Sequence, residues 1–180
     1  LLPPPAGGGS GGEIVFDGAD LTTLPEHKLQ RLRGDRIAMI FQEPMTALNP
    51  VMRIGDQLTE AIRAHEPMSG RAARLRALEA IKAVRLTEPE DRMKQYPHEL
   101  SGGMRQRVVI AMAIALRPDV MIADEPTTAL DVTVQREVLD LLRVLTSEMG
   151  MALILITHDM GVIAQTADRM VVMHQGTVVE

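Results

Sequence analysis

Cysteine and tryptophan are absent from this chain of 180 residues, and aromatic side chains are scarce, at 2% of the total. Without cysteine the chain can form neither a disulfide framework nor a thiolate metal site, which fits a reducing compartment. Because 46% of the residues are nevertheless hydrophobic, the core must consist of aliphatic side chains and the 13 methionines. A chain of this length predicts one domain with a core of its own.

Long apolar runs and an excess of positive charge are also lacking. The longest uninterrupted apolar run extends from Val108 to Leu116, whereas a helix needs about 20 apolar residues to span a bilayer. The net charge is −5 and the isoelectric point is near 5.6. This balance argues against a nucleic acid partner, because binding to phosphates requires a basic surface. The chain opens on Leu1 without the features of a signal peptide, so we expect it to be part of a longer protein.

Apolar runs of strand length recur along the chain, and turn residues bound several of them. We expect strands at Glu13–Phe16, Arg36–Gln42, Val120–Ala123 and Ala152–Thr157. Asp17-Gly18 predicts a turn after the first strand, and Gln175-Gly176 predicts the turn of a final β hairpin.

Helical periodicity fills the intervals between these runs. We expect two amphipathic helices between Met52 and Leu86, a helix from the Ser101 cap to Leu116, one from the Asp131 cap to near Gly150, and a short one after His158. A charged, proline-containing loop is expected from Thr87 to Pro97. Apolar strands that alternate with helices indicate an α/β fold with a parallel sheet covered on both faces.

Polar side chains follow three of the predicted strands. They are Gln42, the pair Asp124-Glu125, and His158. In an open α/β sheet, ligands bind outside the carboxyl ends of the strands. Any one of these residues alone is more often a simple strand end, but their coincidence predicts a site there.

The adjacent carboxylates Asp124 and Glu125 suit phosphoryl transfer, in which catalysis is mostly positioning and charge neutralisation. One carboxylate can hold Mg²⁺, usually through water, while the other orients or deprotonates the attacking water. The alternative is a solvated acidic turn before Pro126. His158 is a candidate hydrogen-bond partner for a terminal phosphate or the attacking water, or else a helix-entry residue. Gln42 either reaches a metal or water, or only ends a strand.

Ser101, Gly102 and Gly103 open a predicted helix and form a candidate anion site. Exposed backbone N–H groups, the positive end of the helix dipole and the lack of side chains all favour a phosphate there. An ordinary serine cap followed by two flexible residues is the alternative. The extension to LSGGMRQRV favours the anion site.

Three stretches of this chain together resemble the motifs of ABC transporter ATPases, in the same order and spacing. They are LSGGMRQRV (100–108), ALRPDVMIADEPTTALDVTVQ (115–135) and ITHDM (156–160). Two further stretches, FQEPMTALNP (41–50) and YPHELSGG (96–103), resemble the dipeptide, oligopeptide and nickel importer branch. The resemblance covers nearly the whole chain from Gly12 onward.

The resemblance implies a P-loop NTPase-like parallel sheet core in one domain, residues 1–180, with a helical subdomain inserted at residues 52–116. It also implies a role for each site residue. Gln42 would be the Q-loop glutamine beside the metal, Asp124 the metal-binding Walker B aspartate, Glu125 the catalytic base, Asp131 the D-loop aspartate and His158 the switch histidine. Ser101, Gly102 and Gly103 would contact the γ-phosphate of an ATP held mainly by the opposite subunit.

The cofactors implied by the resemblance are ATP and Mg²⁺, and the partners are those of an importer. They are a second ATPase subunit, transmembrane permease subunits whose coupling helix lies near loop 43–51, and indirectly a solute-binding protein. The protein would lie peripherally at the cytoplasmic face of the membrane, without a nucleic acid partner. A non-transport ABC ATPase acting on DNA or ribosomes and a non-catalytic interaction module are the alternatives.

One family motif is missing from the chain: G-x-x-x-x-G-K-[ST], whose backbone cradles the phosphates of ATP. The run Gly7–Gly12 contains glycines but no lysine, and it precedes a predicted strand where a helix is required. We therefore expect the Walker A loop, the N-terminal strand and the aromatic residue that stacks on adenine to belong to a segment upstream of Leu1.

We predict that these 180 residues alone bind ATP far more weakly than family members that contain the phosphate-binding loop. The reason is that the backbone N–H groups and the lysine that hold the β- and γ-phosphates are missing from the chain. Isothermal titration calorimetry in the presence of Mg²⁺ checks this. Micromolar affinity would contradict it.

Overall fold

A parallel three-stranded sheet lies at the centre of the computed structural model, which describes residues 12–42, 47–128 and 130–180, with the backbone alone at 164 and 165. Its strands are β3 (Ile37–Ile40), β4 (Val120–Asp124) and β5 (Ala152–Ile156), in the order β3-β4-β5. Ile37 lies opposite Val120, which in turn lies opposite Ala152. The predicted parallel α/β sheet is therefore confirmed, and the carboxyl ends of its strands lie along one edge.

The two faces of this sheet differ in burial. On one face Ala38, Ile40, Met121 and Ala123 are buried, and Leu153 and Leu155 of β5 pack against the same core. On the opposite face Met39, Ile154 and Ile156 remain exposed, at 41%, 52% and 47%. The prediction of a sheet covered on both faces is wrong for the described part of the chain. The described helices that join the core cluster pack against the first face, and β5 pairs on one side only.

The helices between β3 and β4 contribute much of this core. They are α2 (Ile54–His65), α3 (Gly70–Ala83), α4 (Pro89–Arg92) and α5 (Gly102–Ile114), with a 3₁₀ turn at Pro97–Glu99. Ile54, Leu58 and Ile62 of α2 are fully buried, as the helical spacing predicts. Helix α4 falls inside the segment predicted as a loop, with a proline in its first turn. Helix α5 ends two residues earlier than predicted, where Arg117 adopts a positive φ of 57°.

Helix α6 (Val132–Met149) follows β4 and matches its predicted limits. It begins at Asp131, whose side chain accepts a hydrogen bond of 3.0 Å from the Val134 N–H, and it ends at Gly150. Its apolar face buries Val138, Leu141, Leu142 and Leu145. None of the helices in the described part of the chain is both long and apolar enough to cross a membrane.

Two hairpins flank the central sheet in sequence, β1-β2 (Val15–Phe16, Ala19–Asp20) and β6-β7 (Met173–His174, Thr177–Val178). The turn residues Asp17 and Gly18 have φ values of 51° and 75°, and Gln175 and Gly176 have values of 48° and 78°. Two consecutive residues with positive φ are the pattern of a type I′ turn, which matches the twist of short hairpins. Both predicted turns are confirmed. Helices α1 (Glu26–Leu32) and α7 (Met160–Thr166) and a 3₁₀ turn at Leu21–Thr23 complete the described elements.

We predict that Gly55→Ala destabilises the protein by roughly 1–3 kcal/mol. A Cβ at Gly55 would lie 2.7 Å from the Met93 carbonyl oxygen, which already accepts a hydrogen bond from the Gly55 N–H. Gly70→Ala is the matched control, because a Cβ there meets nothing within 4 Å. Urea unfolding should show a loss for the first variant and none for the second. Equal midpoints would contradict the close packing of α2 on Met93.

Candidate active site

The carboxylate of Glu125, which directly follows β4, forms hydrogen bonds with the polar residues that follow β3 and β5. Gln42, which follows β3, donates from Nε2 to Glu125 Oε2 at 2.9 Å. His158, which follows β5, lies with Nδ1 3.0 Å from Glu125 Oε1. The expected convergence of these residues at one edge of the sheet is therefore confirmed for Gln42, Glu125 and His158.

The backbone at Glu125 is unusual and helps to place its side chain. Its φ is 44°, a left-handed value that few residues other than glycine adopt. Its N–H donates to the carbonyl of Ile156 at 3.0 Å, which extends the contact between β4 and β5 beyond Asp124. Backbone strain of this kind is concentrated at functional sites.

Thr128 is a further contact of Glu125, and the sequence pattern does not predict it. Its hydroxyl donates to Glu125 Oε2 at 2.9 Å, and its N–H donates to the Glu125 carbonyl at 3.1 Å. The signal in the sequence is weak. A threonine three residues after an acid, with Pro126 between them, is consistent with an ordinary turn.

The hydrogen bond with His158, followed by that from Thr128, holds the pKa of Glu125 below its usual value, and the charge of His158 and the amide of Gln42 act in the same direction. Partial burial opposes the shift. An ionised carboxylate only accepts hydrogen bonds, so His158 donates to it from Nδ1. This leaves Nε2 of His158 for another partner. The His158 side chain is 80% exposed, whereas the Glu125 side chain is 25% exposed.

Asp124 is the last residue of β4, partly buried and paired in register with Ile156. Within the described ranges, no group of three or more His, Cys, Asp or Glu side chains is arranged to hold a metal. Asp124 and the side-chain oxygen of Gln42 are nevertheless suited to Mg²⁺, which commonly takes one or two protein ligands and completes its shell with phosphate and water. The donor set thus fits this ion only together with a phosphate ligand.

The segment that carries His158 is fixed by its neighbour Asp159. The Asp159 carboxylate caps α7, accepting from the N–H groups of Gly161 at 2.8 Å and Val162 at 3.3 Å. Gln135 of α6 donates to the same carboxylate at 3.5 Å. His158 thus precedes the residue that caps a helix and also contacts Glu125, while its contact with a phosphate or water stays a prediction.

Ser101, Gly102 and Gly103 lie at the start of α5 and not among the partners of Glu125. The Ser101 hydroxyl accepts a hydrogen bond of 3.3 Å from the Met104 N–H, which confirms it as the helix cap. A Cβ at Gly103 would lie 2.6 Å from Val134 Cγ1, so only glycine allows α5 to approach α6 this closely. In the part of the chain that the structure describes, these residues form no hydrogen bond with Gln42, Glu125 or His158.

Asp131 is used locally as the cap of α6 and is likewise not a partner of Glu125. The loop predicted to face a permease, residues 43–51, is described from residue 47 onward, and its first four residues lie outside the described residues.

The chain is similar to ATP-binding proteins of peptide transporters. It is 53% identical to the oligopeptide transport ATP-binding protein OppD of Bacillus subtilis over its whole length, which is 50% of that protein. It is 51% identical to the dipeptide transport ATP-binding protein DppD of the same organism, of which it covers 54%. The chain thus spans about half the length of these curated relatives.

A solved structure and a family model agree with these relatives. The structure of the ATP-binding cassette MJ0796 as a post-hydrolysis dimer bound to ADP and Pi is 33% identical, with a TM-score of 0.81, and the match covers 95% of this chain and 72% of that one. The family model described as ABC transporter matches residues 4–128. This match and the similar fold show that the chain belongs to the ABC transporter family.

Proposed function

We propose that this chain is part of an ATP-hydrolysing subunit that energises a membrane importer of peptides or related small solutes. The observation that carries the proposal is the contact of Gln42 and His158 with the single carboxylate of Glu125 at the carboxyl edge of a parallel sheet. The names of the relatives, which describe peptide transport, support the class of solute.

In this proposal Glu125 acts as the general base. Its lowered pKa keeps it ionised at neutral pH, the form that accepts a proton from the attacking water. His158 keeps Nδ1 on Glu125 and offers Nε2 either to the attacking water, from which the neutral ring accepts a hydrogen bond, or to the terminal phosphate, to which the protonated ring donates. Asp124 and Gln42 would hold Mg²⁺ against the phosphates of ATP, and the ion would neutralise charge that develops on them.

Ser101, Gly102, Gly103 and Asp131 act on a second nucleotide site in this proposal. Their separation from the hydrogen bonds of Glu125 supports a role toward ATP held mainly by another ATPase subunit. The start of α5 is suited to this role, because its free N–H groups and helix dipole favour a phosphate.

We propose permease subunits as the membrane partners and a solute-binding protein as an indirect one. Residues 52–116, which include α2 to α5, would form the helical subdomain, and loop 43–51 would face the permease at the cytoplasmic side of the membrane. The acidic net charge of −5 supports a partner other than nucleic acid.

In the full-length protein we predict that Glu125→Gln lowers kcat for ATP hydrolysis by about 10²–10⁴-fold, because the amide cannot accept the proton of the water. ATP binding should be unchanged within error. Glu60→Gln, which alters an exposed carboxylate on α2, is the control and should keep normal turnover. Turnover of Glu125→Gln at the level of the unaltered protein would remove Glu125 as the base.

The transport function is tested in cells. Deletion of the gene should abolish uptake of a labelled short peptide, the intact gene should restore uptake, and the gene carrying Glu125→Gln should not. Co-purification of the protein with a permease is expected under mild detergent. Normal peptide uptake by the deletion strain, or isolation of the protein on ribosomes or DNA, would contradict the importer assignment.

A further inference from the structure

The carboxylate of Glu125 has three hydrogen-bond donors, and they come from segments of different kinds. Gln42 lies 83 residues away in the sequence and His158 lies 33 residues away, each on the end of a different strand. Thr128 lies 3 residues away, on the same turn as Glu125. Only the donor from Thr128 therefore moves together with the backbone of Glu125.

The turn that carries Thr128 is closed by one backbone hydrogen bond and is joined to the end of β5 by another. The Thr128 N–H donates to the Glu125 carbonyl at 3.1 Å, and the Glu125 N–H donates to Ile156 at 3.0 Å. Pro126 is buried inside the turn and restricts its backbone. These restraints on the backbone of the turn hold the Thr128 hydroxyl at hydrogen-bond distance from Glu125 Oε2.

Gln42 and His158 have a second use in the proposed reaction, since the first would face the metal and the second the terminal phosphate. Each of these two donors is therefore shared between the carboxylate and the nucleotide, so its position depends on both. Thr128 has no such second partner among the described residues, because its side chain bonds to Glu125 alone. We infer that Thr128 is a positioning residue, whose hydroxyl holds the Glu125 carboxylate in its catalytic orientation while Gln42 and His158 engage the nucleotide.

This inference rests on the proposed function, and it is tested by steady-state ATPase kinetics on the full-length protein. Thr128→Val removes the donor and keeps the shape of the side chain. We expect kcat to fall roughly 10- to 100-fold, the effect of losing one hydrogen bond to a charged group. The KM for ATP should stay within about twofold, because a misplaced base affects the chemical step and not uniform binding.

Two further variants separate positioning from general damage to the turn. Thr128→Ser restores the hydroxyl and should recover kcat to within about threefold of the unaltered protein. Thr127→Val is the matched control, because the Thr127 side chain forms no hydrogen bond with any described residue, and it should leave kcat unchanged. If Thr128→Val fails to fold, Thr128→Ala takes its place and is read in the same way.

The combination with Glu125→Gln shows whether Thr128 acts through Glu125. When the base is already lost, adding Thr128→Val should lower the residual rate by less than about twofold. A full 10-fold loss in that background would mean that Thr128 acts independently and would overturn the inference, as would normal kcat in Thr128→Val alone. A full-length protein without ATPase activity would instead overturn the proposed function, and the inference with it.

Discussion

The hydrogen bonds at Glu125 depend on the parallel register of β3, β4 and β5. Since parallel strands end at the same edge of a sheet, residues that follow them directly become neighbours although they are far apart in sequence. Gln42 and His158 meet Glu125 in this way, at 2.9 and 3.0 Å. A shift of one residue in either strand pairing would move the paired segment by about 3.3 Å and separate these donors from the carboxylate. The site is therefore a direct product of strand pairing.

The sheet that holds this site is packed on one face and exposed on the other. Ile40, Met121 and Ala123 anchor the strands to the helical core, whereas Met39, Ile154 and Ile156 face outward. An exposed apolar row on a central sheet is a surface that proteins normally cover. The functional edge lies between these two faces, and β5 is held there by its pairing with β4 and by the packing of Leu153 and Leu155 on the core.

The sequence predicts local structure well where a helix cap or a turn is determined by residues that are adjacent in sequence. Asp131 caps α6 and the pair Asp17-Gly18 closes a hairpin, both as expected, because these effects depend on only a few adjacent residues. It predicts the convergence of Gln42, Glu125 and His158 because parallel strands impose it. The exposed face of β5 is not predictable, since an apolar strand sequence does not say which element covers it. The contact of Thr128 is missed because it depends on the positive φ of Glu125, which no residue type at that position signals.

The first turn of α6 contacts both the start of α5 and the segment that carries His158. Val134 packs closely against Gly103, since a Cβ at Gly103 would lie only 2.6 Å from Val134 Cγ1, and this contact helps to place the start of α5. One residue later, Gln135 donates to Asp159, the residue next to His158. The segment proposed to offer an anion site to another subunit and the segment that holds His158 near Glu125 thus both contact the first turn of α6. Because interiors are close-packed and resist small displacements, a movement of this turn alters both contacts together.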